Sequence, residues 1–283
     1  LFVTCLECAG MLAKIVVENF KSFDERSELN MISSTKIRTK TDHRICVGPK
    51  LRLLKHAVIY GANASGKSNL IDFMAFFLHV LSFGLPIEGM QCFCRNRQEN
   101  ENRDSLFEIQ FEMDCKYYAY GFSTRLSEQR ITGEWLYELH LNGSSSSIFE
   151  RNGLRKPEIG DGLHVSKEEL NRFDTYATDF ADNKVGLFLS EMNRGKKYAD
   201  GSNLQVFGRV LKWMTEKIVV ITPDSRLINF QQYYNADSLS EINNMIQTFD
   251  TGVSNVRIEE VDVSDLEKMM PRPILDDMMR ELN

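Results

Sequence analysis

An α/β fold wrapped round a phosphate-binding loop is the architecture this sequence predicts, and three observations predict it. A short apolar run, His56-Ala57-Val58-Ile59-Tyr60, leads into Gly61-Ala62-Asn63-Ala64-Ser65-Gly66-Lys67-Ser68, which satisfies G-x-x-x-x-G-K-[ST]. Ser68 to Phe83 then carries the apolar density of a buried helix. Further on, Phe107, Ile109 and Phe111 alternate with polar residues, the period of a half-buried strand. Strand, glycine-rich loop and helix in that order are the setting in which this pattern grips phosphate.

The loop's residue types dictate its chemistry. Gly61 and Gly66 permit backbone conformations that a side chain forbids, and they let amide N–H groups approach phosphate oxygens. The helix that follows adds the positive end of its dipole. Lys67 is the catalytic candidate, reaching the β- and γ-phosphates, and the Ser68 hydroxyl is the expected Mg²⁺ ligand. Asn63 offers an amide donor on the γ-phosphate side, and Ala62, Ala64 and Ser65 complete the loop. Along the helix, Leu70, Ile71, Phe73, Met74, Phe76, Phe77, Val80 and Leu81 predict burial against a sheet. Ser68, Asp72 and His79 fall close to one line, and Asp72 and His79 read as polar-edge residues rather than catalysts.

Upstream, Met11-Leu12-Ala13-Lys14-Ile15-Val16-Val17-Glu18-Asn19-Phe20-Lys21-Ser22-Phe23 reads as a first strand running into a polar turn. Such a strand ending in Asn-Phe-Lys-Ser-Phe, followed later by G-x-N-x-S-G-K-S-N-L, resembles the ATP-binding heads of the SMC and RecF group of ABC-type ATPases. The stretches IYGANASGKSNLI, IFERNG, LFLSEMN and ITPDSR are similar to stand-alone ATPases of bacterial abortive-infection and anti-phage systems, relatives of the OLD-family nucleases. The resemblance runs from Met11 to about Val261 and weakens after Glu150. It implies a P-loop NTPase of ABC-ATPase-head type with an antiparallel β subdomain and a helical arm region, using ATP and Mg²⁺. It places nucleotide contacts on Asn63, Ser65, Gly66, Lys67, Ser68 and Asn69, and it matches Lys21 to a basic residue that faces the nucleotide. Lys21 also reads as a solvated turn residue, while Phe20 and Phe23 read as packing rather than a base-stacking platform.

The resemblance further implies a homodimer in which two heads sandwich two nucleotides, with hydrolysis switching a nuclease or other effector. Three parts expected of such a head are not found. Ser238-Leu239-Ser240-Glu241 lacks the glycines of a signature loop. Ile218-Val219-Val220-Ile221 reads as an apolar strand, but Thr222 and Pro223 precede Asp224, a poor match to a metal-binding Asp-Glu strand. The last histidine is His164. The expectation is therefore the N-terminal part of a longer, C-terminally truncated ATPase. The alternatives are a P-loop phosphotransferase or GTPase, for which no acceptor pocket or Asn-Lys-x-Asp motif is found, and a non-catalytic ATP-binding regulatory fragment.

Composition fits a cytoplasmic protein: no run approaches the roughly 18 apolar residues of a membrane span. The net charge of −6 over 283 residues gives no global reason to expect nucleic acid or an anionic membrane as partner. Lys36, Arg38, Lys40, Arg44, Lys50, Arg52 and Lys55 form a local basic segment with two readings: a contact for DNA or RNA phosphates, which no base-reading motif or interleaved aromatic supports, and a solvated connection, the preferred one. The 6 cysteines are not read as a disulfide framework, and the spacings of Cys5–Cys8 and Cys92–Cys94 match no zinc knuckle pair. Glu259-Glu260, Asp276-Asp277, His140 and His164 do not assemble into another catalytic pattern.

The remaining elements follow in order. Tyr117 to Thr124 and Ile131 to Leu141 read as strands, and Asn142-Gly143 turns back into Ile148-Phe149-Glu150-Arg151. Ser166-x-x-Glu169 is a capping box opening a helix with Leu170, Phe173, Tyr176 and Phe180 on its apolar side. Leu204 to Glu216 and Ser238 to Phe249 read as helices, Val256 to Val263 as a strand, with Pro271 and Pro273 as breakers. The expected organisation is a non-native or disordered leader at 1–10, a nucleotide-binding core at 11–165, and a helical arm region with the start of the C-terminal part of the head at 166–283.

Overall fold

The structure is a computed structural model of the chain that describes residues 10–34, 36, 39, 41–47, 51–86, 92–222 and scattered positions between 239 and 257. It divides into two units, Leu1–Val220 and Ile221–Asn283. In the second, the Asn243 side chain brackets Val256, donating to its carbonyl at 3.1 Å and accepting from its N–H at 2.7 Å. Within the helix expected over Ser238–Phe249 the described residues Leu239, Ser240, Asn243, Asn244, Ile246 and Gln247 are helical, while most of the strand expected over Val256–Val263 lies outside the described residues, as do Pro271 and Pro273.

The first unit runs β1 (Leu12–Glu18), β2 (Ser27–Asn30), β3 (Arg44–Cys46), β4 (Arg52–Leu54), α1 (Lys67–Phe83), β5 (Ser105–Met113), β6 (Lys116–Arg125), β7 (Arg130–Leu139), β8 (Ser145–Asn152) and β9 (Glu158–Ile159). It ends with α2 (Lys167–Phe180), α3 (Phe188–Glu191) and α4 (Gln205–Lys217). One sheet takes the order β2-β1-β5-β6-β7-β8-β9, and β3 with β4 forms a separate hairpin. Among the described residues every strand pair is antiparallel. The meander is local chemistry made visible. Asp114 and Cys115, both at positive φ (55° and 61°), supply the left-handed pair that a tight hairpin requires between β5 and β6.

Register explains where the core lies. Ile15, Ile109, Tyr120, Leu136 and Phe149 stand opposite one another in a row across five strands, and Val17, Phe107 and Phe122 begin the next row. These rows form the apolar face on which the helices pack. Phe73 of α1 stacks on Phe107 at 5.7 Å, and Phe77 lies 5.3 Å from Phe122. Phe149 receives Phe188 at 5.6 Å and Phe207 at 5.4 Å. In α4, Val206, Phe207, Val210, Trp213 and Met214 are buried, the i, i+1, i+4, i+7, i+8 stripe of a helix laid on a core. The other sheet face is more polar: Trp135 Nε1 donates to Glu108 at 2.9 Å and Tyr117 Oη donates to Gln110 at 2.5 Å.

The second of those rows ends in charge. Phe122 is followed by Glu134 and Arg151, both buried. Glu134 accepts from Tyr120 Oη at 3.0 Å, from the Phe188 N–H at 2.6 Å and from the Leu189 N–H at 2.9 Å. Burial pushes the Glu134 carboxyl above the usual range, against the pull of those two amides and the Arg151 charge, and burial pushes the Tyr120 hydroxyl well up. Arg151 donates to the carbonyls of Gly186 and Asn183 and stacks on Phe180. Ser190 Oγ then donates to the Leu81 carbonyl at 2.5 Å, tying the same segment to the end of α1.

Two expectations need correction. His56–Tyr60 forms no strand, and Val58, Ile59 and Tyr60 are 67%, 46% and 87% exposed. Apolar character gives a strand only where a neighbour completes the ladder, and among the described residues none lies beside this run. Ile218–Ile221 is irregular for the same reason, with Val219 and Ile221 more than half exposed. The predicted helix, meander, capping box and α4 stand close to their expected bounds, and α1 begins at Lys67 rather than Ser68. Cys46, Cys92 and Cys94 belong to no disulfide, whereas Cys115 is disulfide-bonded, so the cysteines are not all reduced as the sequence suggested. Among the described residues no helix is long and apolar enough to cross a membrane.

Candidate phosphate-binding site

Residues 61–65 of the loop are exposed, Gly66 is half-buried, and the Ser65 N–H donates across the loop to the Ala62 carbonyl at 3.2 Å. A Cβ on Gly61 would lie 2.6 Å from Ser65 Oγ, so any side chain there would force the Ser65 hydroxyl to move. Ala64 holds φ 63° and Gly66 φ 90°, so left-handed residues punctuate the turn into α1. For alanine this conformation costs about 1–2 kcal/mol. Such alternation turns consecutive amides toward one concavity, a nest for anions, and the strain is of the kind that clusters at ligand clamps.

Lys67 is the first residue of α1. Its ammonium folds back to the loop carbonyls of Gly61 (2.8 Å) and Ala62 (2.7 Å), with Ser65 Oγ at 3.5 Å. The cation thus sits at the loop, where it would neutralise a bound phosphate. The exposed Ser68 hydroxyl and the Asn63 side chain make no hydrogen bond within the described residues. A free hydroxyl at the helix start, beside an amide nest and one lysine, is a donor set that fits a magnesium–polyphosphate ligand: Mg²⁺ takes one or two protein oxygens and completes its shell with phosphate and water.

A second wall comes from the turn after β1. Asn69 Nδ2 donates to Ser22 Oγ at 2.7 Å, and a Cβ on Gly66 would lie 2.6 Å from that same oxygen. Lys21 Nζ pairs with Asp72 at 2.6 Å, with the two side chains 35% and 42% exposed. Lys21 is thus neither free in solvent nor inside the loop. The turn is held from behind by Asn19, fully buried at φ 49°. Its side chain donates to the carbonyls of Asn100 (2.9 Å) and Arg103 (3.1 Å) and accepts from the Cys94 N–H (3.1 Å), while Ser105 Oγ donates to its carbonyl (2.6 Å). Arg103 bridges Glu18 and Asp24, and the Lys21 N–H donates to the Cys92 carbonyl at 2.7 Å. Phe20 is buried and packs on Phe76 and Phe107, as expected of a packing residue.

The structure therefore brings Gly61, Ala62, Asn63, Ala64, Ser65, Gly66, Lys67, Ser68 and Asn69 together and sets Lys21 one helical turn along α1. Sequence reasoning missed Ser22 and Asn19. The Asn-Phe-Lys-Ser-Phe run marked the turn, but which side chain meets the loop depends on left-handed φ at both Asn19 and Lys21.

A glycine-bearing loop at a helix start with an in-turned lysine fits a P-loop nucleotide-phosphate site. Residues 57–197 match the family described as "AAA domain, putative AbiEii toxin, Type IV TA system". The match spans just under half of the chain and supports an AAA-family P-loop ATPase. No curated protein matches the chain.

Proposed function

We propose that this protein binds MgATP at Gly61–Ser68 as an ABC-type ATPase head, similar to those of the SMC and RecF group, within a bacterial abortive-infection or anti-phage system of the OLD-like kind. The observation that carries the reading is the Lys67 ammonium curled onto the Gly61 and Ala62 carbonyls in a loop strained at Ala64. A cation so placed exchanges carbonyl partners for phosphate oxygens without leaving the ring. The loop amides take the β-phosphate, Lys67 bridges β- and γ-phosphates, and Asn63 donates on the γ side. Ser68 holds Mg²⁺, which when bound neutralises charge on the phosphoryl oxygens. Asn69, fixed by Ser22, closes the exit of the loop.

In this reading the protein is cytoplasmic, two copies sandwich nucleotide between heads, and turnover switches a nuclease or other effector. The family description, with its toxin–antitoxin context, supports the defence setting. The test is calorimetric titration with MgATP: wild type binds, and Lys67→Ala lowers affinity at least about 100-fold by removing a charge-assisted contact worth about 3 kcal/mol. Equal affinity in both proteins overturns the reading.

A further inference from the structure

We propose that Asp72 is a positioning residue that parks Lys21 beside the phosphate loop, so that a bound triphosphate and Asp72 compete for one ammonium. This rests on the nucleotide reading above and adds to it a determinant of ATP-over-ADP preference.

The geometry has three parts. First, Asp72 lies four residues after Ser68, just over one turn and about 6 Å further along the same face of α1. Second, Lys21 Nζ is held on its carboxylate at 2.6 Å, and that ammonium also lies 5.9 Å from the Phe20 ring centroid. Third, the backbone that carries Lys21 is pinned. Ser22 approaches Gly66 and Asn69 at the loop's exit, the Lys21 N–H donates to the Cys92 carbonyl, and Asn19, two residues before Lys21, is locked from within the core. A fixed Cα with a flexible four-carbon stem lets only the charged tip relocate, over about the distance of one helical turn.

The energetics favour exchange. Both partners are about a third or more exposed, and ion pairs of that kind are weak and screened. A γ-phosphate adds a concentrated negative charge near Ser68 and outcompetes one half-solvated carboxylate. A diphosphate ends further from the Lys21 side and leaves the pair closed. Asp72 therefore charges ATP a small toll that ADP does not meet, while keeping Lys21 out of the loop when nucleotide is absent.

The experiment is a double-mutant cycle read by calorimetry with MgATP and MgADP on the intact protein. In Asp72→Asn the preference for ATP over ADP rises about two- to fivefold, the span expected for freeing a cation from an exposed ion pair. Lys21→Met lowers the preference, and in that background Asp72→Asn changes it by less than about 1.5-fold, because solvent screens most of the direct repulsion between a carboxylate this exposed and the γ-phosphate. Asp72→Glu, which keeps the carboxylate, restores the wild-type preference. Equal shifts for ATP and ADP, or the same shift with and without Lys21, overturn the proposal. So does an Asp72→Asn chain that fails to fold, since so exposed a pair carries too little stability for its loss to unfold the protein. Wild type that binds neither nucleotide instead sinks the proposed function itself.

Discussion

Glu134→Ala is the substitution whose cost the structure sets most plainly. The carboxylate is fully inside the fold and satisfies three donors: Tyr120 Oη and the amides of Phe188 and Leu189. Alanine leaves all three buried without an acceptor, at about 1–3 kcal/mol each, and leaves Arg151 without its compensating charge. A loss of about 3–5 kcal/mol of unfolding free energy follows, a large part of a domain's net stability. Glu134→Gln loses less, about 1–3 kcal/mol, because its oxygen keeps two bonds while its amide opposes the Phe188 N–H.

The same residue predicts a pH dependence of definite sign. Burial raises the folded carboxyl above its unfolded value of 4.5, so the folded state holds the proton where the unfolded state has lost it. Stability from this group is thus greatest at low pH and declines as pH rises from about 4.5 through the folded value. Urea unfolding of wild type and Glu134→Gln from pH 5 to 8 reads both effects. The wild-type advantage shrinks as pH climbs. A Glu134→Ala loss under about 1 kcal/mol, or an advantage that grows with pH, refutes the account of this network.

Other expectations are simpler. Ser166→Ala removes the capping box of α2 and costs about 1 kcal/mol in urea unfolding. Its partner Glu169 is held at about 2, chiefly by the Ser202 hydroxyl and then by the Ser166 N–H, so its contribution is present above pH 4.5 and fades as pH falls toward 2. Phe107→Ala empties the centre of a cluster with Phe20, Phe73, Phe76 and Phe122 and costs about 3–5 kcal/mol by the same assay. Gly66→Ala drives a Cβ to 2.6 Å from Ser22 Oγ at φ 90°, and MgATP affinity falls at least about tenfold in calorimetry while the melting temperature moves little.

Local chemistry was legible in the sequence, and long-range pairing was not. The alternation of Phe107, Ile109 and Phe111, the Asn142-Gly143 turn, and the Ser166–Glu169 box each depend on neighbours a few residues away, and each forms as the pattern predicts. The strand expected at His56–Tyr60 depends on partners elsewhere in the chain, and β propensity alone does not supply them. The loop residues were readable because their spacing is their function. The wall behind them was not: Asn19 meets Asn100 and Arg103 across 81 and 84 positions, and Ser22 meets Asn69 across 47. Nor did anything local announce α3, four residues whose first two amides are held by a glutamate on β7. Asp72 was read as a polar-edge residue, and its exposure agrees, but its partner Lys21 lies 51 positions upstream.

The most direct measurement of the central claim is the structure of the protein crystallised with magnesium and a non-hydrolysable ATP analogue. The account predicts the β-phosphate ringed by the amides of the 61–68 loop, the Lys67 ammonium moved from the Gly61 and Ala62 carbonyls onto phosphate oxygens, and Ser68 Oγ on the metal. An analogue bound elsewhere, with Lys67 still on those two carbonyls, would contradict it.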